Sequence, residues 1–197
     1  MNFLSKLTNN IRSCFDKNSK TSNEIAEPLS KSEKEIILST YNTILKTEPE
    51  FFSKSWIMSA SRSTSIRQSF NLSDPNSIHL EVEFTKFSAV IERFFTRIIC
   101  DEKLEAESFE NSCRNLGKRH VDFVSLGFHS NYWDIFLNCM IDVIAETVVI
   151  AYRDEKEQRQ VQKTWNKFVG RIVYLMQSGF KERQVAEKNS DNKKSNF

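Results

Sequence analysis

Glycine and proline are scarce in this 197-residue chain, with four of one and three of the other. Turns between strands draw on both, so an all-β architecture is not expected. Charge of one sign is also lacking. The 28 basic and 26 acidic side chains leave a net charge of +2, too even to make nucleic acid the main partner. No apolar run approaches the roughly 18 residues needed to cross a bilayer. No apolar leader ends in a small-residue cleavage site, so a cytoplasmic location is the expectation. The four cysteines, Cys14, Cys100, Cys113 and Cys139, include no C-x-x-C pair. That spacing gives no support to a zinc or thioredoxin-type site, and free thiols are expected. A Gly-rich phosphate loop, a nucleophile elbow and a two-His-with-carboxylate pattern are missing too, so an enzyme is not expected.

What is plentiful is phenylalanine, at 16 residues. Such a content suits a bulky aromatic core, or a core lining something large, flat and apolar; composition does not separate the two. Residues 1–28 are rich in Asn, Ser, Lys and Thr, and residues 184–197 in Lys, Asn, Ser and Gln. Both read as mobile extensions flanking a domain at 29–183. Within the first, Phe3, Leu4, Leu7, Ile11 and Phe15 share one helical face, with Lys6, Arg12 and Lys17 elsewhere. A basic amphipathic segment can rest on a membrane, and Cys14 is a candidate for palmitoylation, while Asn2 excludes N-myristoylation. A disordered or folded-back tail is the preferred reading.

Between the extensions the hydrophobic period is helical. Ser30-Lys31-Ser32-Glu33 has the capping-box pattern, followed by one apolar face through Ile36, Ile37, Tyr41, Ile44 and Leu45. A second helix is predicted from Pro49 to Ala60 and a short one from Ser63 to Phe70. Asp74-Pro75 marks a break and a restart. Phe84, Phe87, Ile91, Phe94, Phe95 and Ile98 define the next helix, and Phe109 to His120 a short one. Gly127 interrupts the pattern. Tyr132, Phe136, Met140, Val143 and Ile144 define a long helix. Val161, Trp165, Phe168, Ile172, Leu175 and Met176 define the last, with Gly179 as its terminator. The expected fold class is all-α, with six to eight helices.

Particular residues sharpen this picture. Leu116-Gly117-Lys118-Arg119-His120-Val121 resembles the end of the globin F helix. Gly127-Phe128-x-x-x-Tyr132-Trp133-Asp134-Ile135-Phe136 resembles the start of the G helix, notably in invertebrate and nematode globins. Leu29-Ser30-x-Ser32-Glu33 through Tyr41 is similar to the A helix. Phe70 falls where the family keeps a haem-packing phenylalanine, and Gln177-Ser178-Gly179-Phe180 resembles the close of the H helix. The resemblance covers about residues 29 to 183, and the order and spacing of the pieces carry it. There are departures. Phe87 stands where many globins have a distal histidine, and Thr64 where the C helix often begins with proline.

The resemblance implies a globin fold around haem b, with His120 as proximal ligand to the iron and the Leu116 carbonyl as acceptor for its other ring nitrogen. It implies porphyrin contacts from Phe70, Tyr132 and Phe136. On the distal side it implies Trp56, fourteen residues before Phe70, together with Phe87 and Ile91. Lys86 and Met58 are the first candidates for a sixth ligand if there is one. His79 and His129 read as solvated loop histidines. The implied role is binding of oxygen or another diatomic gas. Haem redox work or gas sensing is the alternative, and a haem-free interaction module a third. Nothing in the sequence fixes an oligomeric state.

Overall fold

The structure is a computed structural model, and it describes residues 25–194. The readings placed on Phe3 to Lys17 and on Cys14 lie outside the described residues. No strand occurs among the described residues.

Helix α1 (Lys31–Thr47) starts as its sequence dictates. The Glu33 amide donates to Ser30 Oγ at 3.2 Å and the Ser30 amide to the Glu33 carboxylate at 2.7 Å. Two end amides are thereby satisfied reciprocally. Helix α2 (Phe51–Arg62) follows after a short turn. Ser63 then caps α3 (Thr64–Ser69) by accepting from the Ile66 amide at 3.2 Å. Asp74-Pro75 forms a turn closed by the Asn76 amide on Asp74 Oδ1. The helical restart comes later than Pro75, through a 3-10 turn at Ile78–Leu80 into α4 (Val82–Thr96). Helix α4 widens into a π turn at Arg97–Asp101.

Helix α5 (Ala106–Arg119) begins three residues before Phe109, because the Glu105 carboxylate takes the Ser108 amide at 2.8 Å. His120 caps it and opens a 3-10 stretch, His120–Leu126, which Gly127 ends at φ 92°. That left-handed conformation suits glycine. Helix α6 (Tyr132–Ala151) is buried on most sides, and α7 (Glu155–Lys194) packs against α1, α5 and α6. Helix α7 does not end at Gly179 but continues to Lys194, through the segment read as a tail. Gly179 instead marks a helix crossing: a Cβ there would meet the Arg114 carbonyl oxygen at 2.1 Å.

The main core joins α1, α2, α4, α6 and α7 around Trp165, Phe51, Phe168 and Met140. The Trp165 indole N–H donates to Thr40 Oγ1 at 2.9 Å, which lets the ring be fully buried. A smaller cluster of Ala60, Ile66, Leu72, Ile78, Phe84 and Tyr132 closes one end. The Arg62–Asp142 ion pair ties α2 to α6 between them.

Candidate functional site

Five helices converge on a cavity of about 350 Å³. Helix α4 supplies Phe87, Val90, Ile91 and Phe94 along one wall. The end of α5 faces it with Leu116, Arg119 and His120, continued by Phe123. The floor is Trp56 from α2, Phe136, Leu137 and Met140 from α6, and Val169, Ile172, Val173 and Met176 from α7. Phe87 and Phe123, each 45% exposed, stand at the mouth, one from each wall. The lining is almost wholly carbon, so an occupant must be apolar over most of its surface.

His120 and Arg119 are exceptions, and His120 is the one with a neutral lone pair to offer. Its Nδ1 lies 2.8 Å from the Leu116 carbonyl oxygen, one turn back on α5. A carbonyl only accepts, so Nδ1 carries the proton and Nε2 keeps its lone pair. Nε2 has no hydrogen-bond partner among the described residues. The rings of Phe123, Phe128 and Trp133 surround the imidazole at 5.5, 5.0 and 5.0 Å. Burial among them holds its pKa below the ordinary histidine value, against the opposing pull of the Leu116 bond. The ring is therefore kept neutral, the form that ligates a metal. Among the described residues no three His, Cys, Asp or Glu side chains converge as a metal site. What the cavity offers a metal is one imidazole nitrogen, with the thioethers of Met140 and Met176 elsewhere on the lining.

The opposite wall carries no donor. Phe87 and Ile91 present hydrocarbon. The Trp56 indole N–H is spent on the Phe84 carbonyl oxygen at 2.9 Å, with its ring stacked on Phe84 at 4.7 Å. Lys86 pairs with Glu83 on the surface, and Met58 lines a groove on the outer side of α2.

The structure thus brings Trp56, Phe87, Ile91, Leu116, Phe136 and His120 to one cavity. Phe70 and Tyr132 are not on its wall. Phe70 packs edge-on behind it, against Trp56, Phe84 and Phe87. The Tyr132 hydroxyl donates to the Ser65 carbonyl at 3.0 Å and lies 2.8 Å from Ser69 Oγ, pinning α6 to α3. His79 and His129 are exposed and away from the cavity. Sequence reasoning missed Val90, Arg119, Phe123, Trp133 and the α7 wall. The 169, 172, 173, 176 spacing marks an apolar helix face, but not which neighbour it meets.

No helix among the described residues is long and apolar enough to cross a membrane. The globin family model matches residues 58–176. A Caenorhabditis elegans protein described as globin-related protein glb-13 is 32% identical over 74 residues, 38% of this chain and 24% of that protein. The alignment therefore spans about a quarter of that relative's length. The family match covers more than half of the chain and runs from α2 into α7, taking in both His120 and the α4 wall that faces it; the chain belongs to the globin family.

Proposed function

We propose that the cavity takes haem b, with His120 Nε2 as axial ligand of the iron. A diatomic gas, oxygen included, is bound on the side of Phe87 and Ile91. One observation carries this reading: the 2.8 Å contact between His120 Nδ1 and the Leu116 carbonyl, which leaves a neutral Nε2 unclaimed at an apolar cavity. A carbonyl that accepts from the far ring nitrogen fixes the tautomer and direction of a ligating histidine. The residues present fit the group. The slot is hydrocarbon on both faces, and Arg119 on its lining offers a cation for a propionate. No cysteine stands in a C-x-x-C-H pattern, which argues against c-type covalent attachment and supports haem b.

Haem supplies an iron that binds diatomic gases and exchanges single electrons. The chain's own residues do the rest. Trp56, Phe87, Ile91, Leu116 and Phe136 exclude water from the slot. Phe70 buttresses Trp56 and Phe87 from behind, and Tyr132 anchors the start of α6 beneath Phe136. Residues 29–183 carry the site, and the protein acts by binding rather than as an enzyme, in the cytoplasm.

A specific observation favours a second reading, haem redox work or gas sensing rather than oxygen carriage. The distal wall has no free donor, because the Trp56 N–H is committed to Phe84. Absorption spectra of the haem-reconstituted chain in ferric, ferrous and carbonyl forms test the proposal. A Soret band that moves with oxidation state and with carbon monoxide is expected. Its absence overturns haem binding and leaves an interaction module. Oxygen release and autoxidation rates then divide carriage from redox work.

A further inference from the structure

The 3-10 stretch that starts at His120 is held unusually. None of its residues, His120–Leu126, is buried. His120 and Val121 are half-buried and pack inward, whereas the side chains of 122–126 are exposed, so packing holds the stretch firmly only at its start. A polar grip from α7 adds to that packing and reaches the exposed half. Arg183 Nη1 donates to the Lys118 carbonyl at 3.0 Å and to Asp122 Oδ2 at 2.9 Å, and Nη2 donates to Asp122 Oδ1 at 2.5 Å. Lys118 lies two residues before His120, and Asp122 two after. The carbonyls at a helix end lack intrahelical partners and carry partial negative charge, so a guanidinium suits the place. Next to Arg183, Glu182 takes the Arg114 and Lys118 side chains at 2.5 and 3.2 Å.

We propose that Arg183 is a positioning residue for His120: its guanidinium holds the Lys118 carbonyl before the histidine and the Asp122 carboxylate after it, and so fixes where Nε2 points. The proposal rests on the reading of His120 as the haem ligand. The Leu116 contact sets the ring relative to α5; the Arg183 fork sets the end of α5 and the turn beyond it relative to α7, which forms part of the cavity floor. Two planar hydrogen bonds to one carboxylate add direction that a lone ammonium lacks. Arg183 and Asp122 are both partly exposed, and such pairs add little to global stability. The effect is local.

The test is Arg183→Met in the full chain, which keeps the apolar stem. Loss of haem to a scavenger protein is expected to quicken about tenfold, the low end for a residue supporting a ligand from outside. The iron–histidine stretching band of the unliganded ferrous form should shift or broaden. In the haem-free chain, hydrogen exchange at 120–127 should quicken while the urea midpoint holds. Asp122→Asn should act in the same direction and add little to Arg183→Met. An unchanged band and loss rate overturn the proposal, as does a fall in the urea midpoint that accounts for the whole effect. If the wild-type chain takes up no haem, the ligand reading fails separately. Exchange at 120–127 then still decides whether Arg183 holds the segment, and unchanged exchange overturns that.

Discussion

Gly117 on α5 and Met176 on α7 cross so closely that a Cβ at Gly117 would come within 1.9 Å of the Met176 carbonyl oxygen. The contact is returned about one turn away, where Gly179 meets the Arg114 carbonyl. The two glycines let α5 lie directly on α7, three residues from His120. Gly117→Ala should therefore destabilise. Helix propensity alone favours alanine, but the atom in the way is backbone and cannot swing aside. Overpacking set against that gain gives a net loss of about 2 kcal/mol. The urea midpoint should fall for Gly117→Ala and Gly179→Ala alike; a rise in either contradicts the crossing.

These glycines show where sequence reading stops. Local signals translated directly into structure: the Ser30–Glu33 box starts α1, and Gly127 breaks the chain at a positive φ. Gly179 carries the same letter as a terminator yet sits inside a helix, because a missing Cβ serves a turn and a close crossing equally. The helical order, the cavity faces of α4, and His120 at the end of α5 were legible because period and spacing are local. Trp56 was legible as an apolar ring, but the direction of its N–H was not. The α7 wall and the Arg183–Asp122 fork were not legible either, since partners 61 residues apart leave no mark in a short window. Phe70 and Tyr132 were placed by family position, and their distance from the cavity wall depends on how α2, α3 and α4 pack.

Removing the imidazole tests the ligand directly. His120→Gly should abolish stable haem binding, and added imidazole should restore a Soret band by filling the vacated space. The Leu116 carbonyl remains in place to orient the added ring. A variant with wild-type haem affinity and spectrum would exclude His120 as ligand.

His120 also makes the haem-free chain sensitive to pH. Its pKa is lowered in the fold by burial, so the unfolded chain binds this proton more readily. Stability linked to the neutral ring is complete above the unfolded value of about 6.5 and is lost as pH falls through the folded value. Urea midpoints at pH 7.5 and 5.5 should therefore differ more for the wild type than for His120→Gln, which does not titrate. Equal slopes would show that burial of the ring is not coupled to folding. Haem affinity should fall over the same pH range, since a proton and a metal compete for Nε2.

With haem bound as proposed, the wall of Phe87 and Ile91 should set the gas preference. In many globins a distal histidine donates a hydrogen bond to oxygen, which becomes partly negative when bound. A buried bond of this kind contributes roughly 1.5–3 kcal/mol, or about one to two powers of ten in affinity. Phe87 and Ile91 have no donor, and the Trp56 N–H already serves Phe84. Trp56→Phe should for that reason leave oxygen release nearly unchanged, although it removes an indole N–H from the cavity floor. Phe87→His should do the opposite. Phe87 lines the mouth of the cavity, where an imidazole can reach inward. Oxygen release should slow by about ten- to a hundredfold. Carbon monoxide, less polar when bound, should slow far less. The ratio of the two rates, measured by flash photolysis and rapid mixing, isolates the hydrogen bond from crowding, because crowding slows both gases together. Equal slowing would assign the effect to space alone. A six-coordinate ferrous spectrum in the unliganded wild type would require a second ligand; the Met140 and Met176 thioethers on the cavity lining are the first to replace, then Lys86, which pairs with Glu83 on the surface.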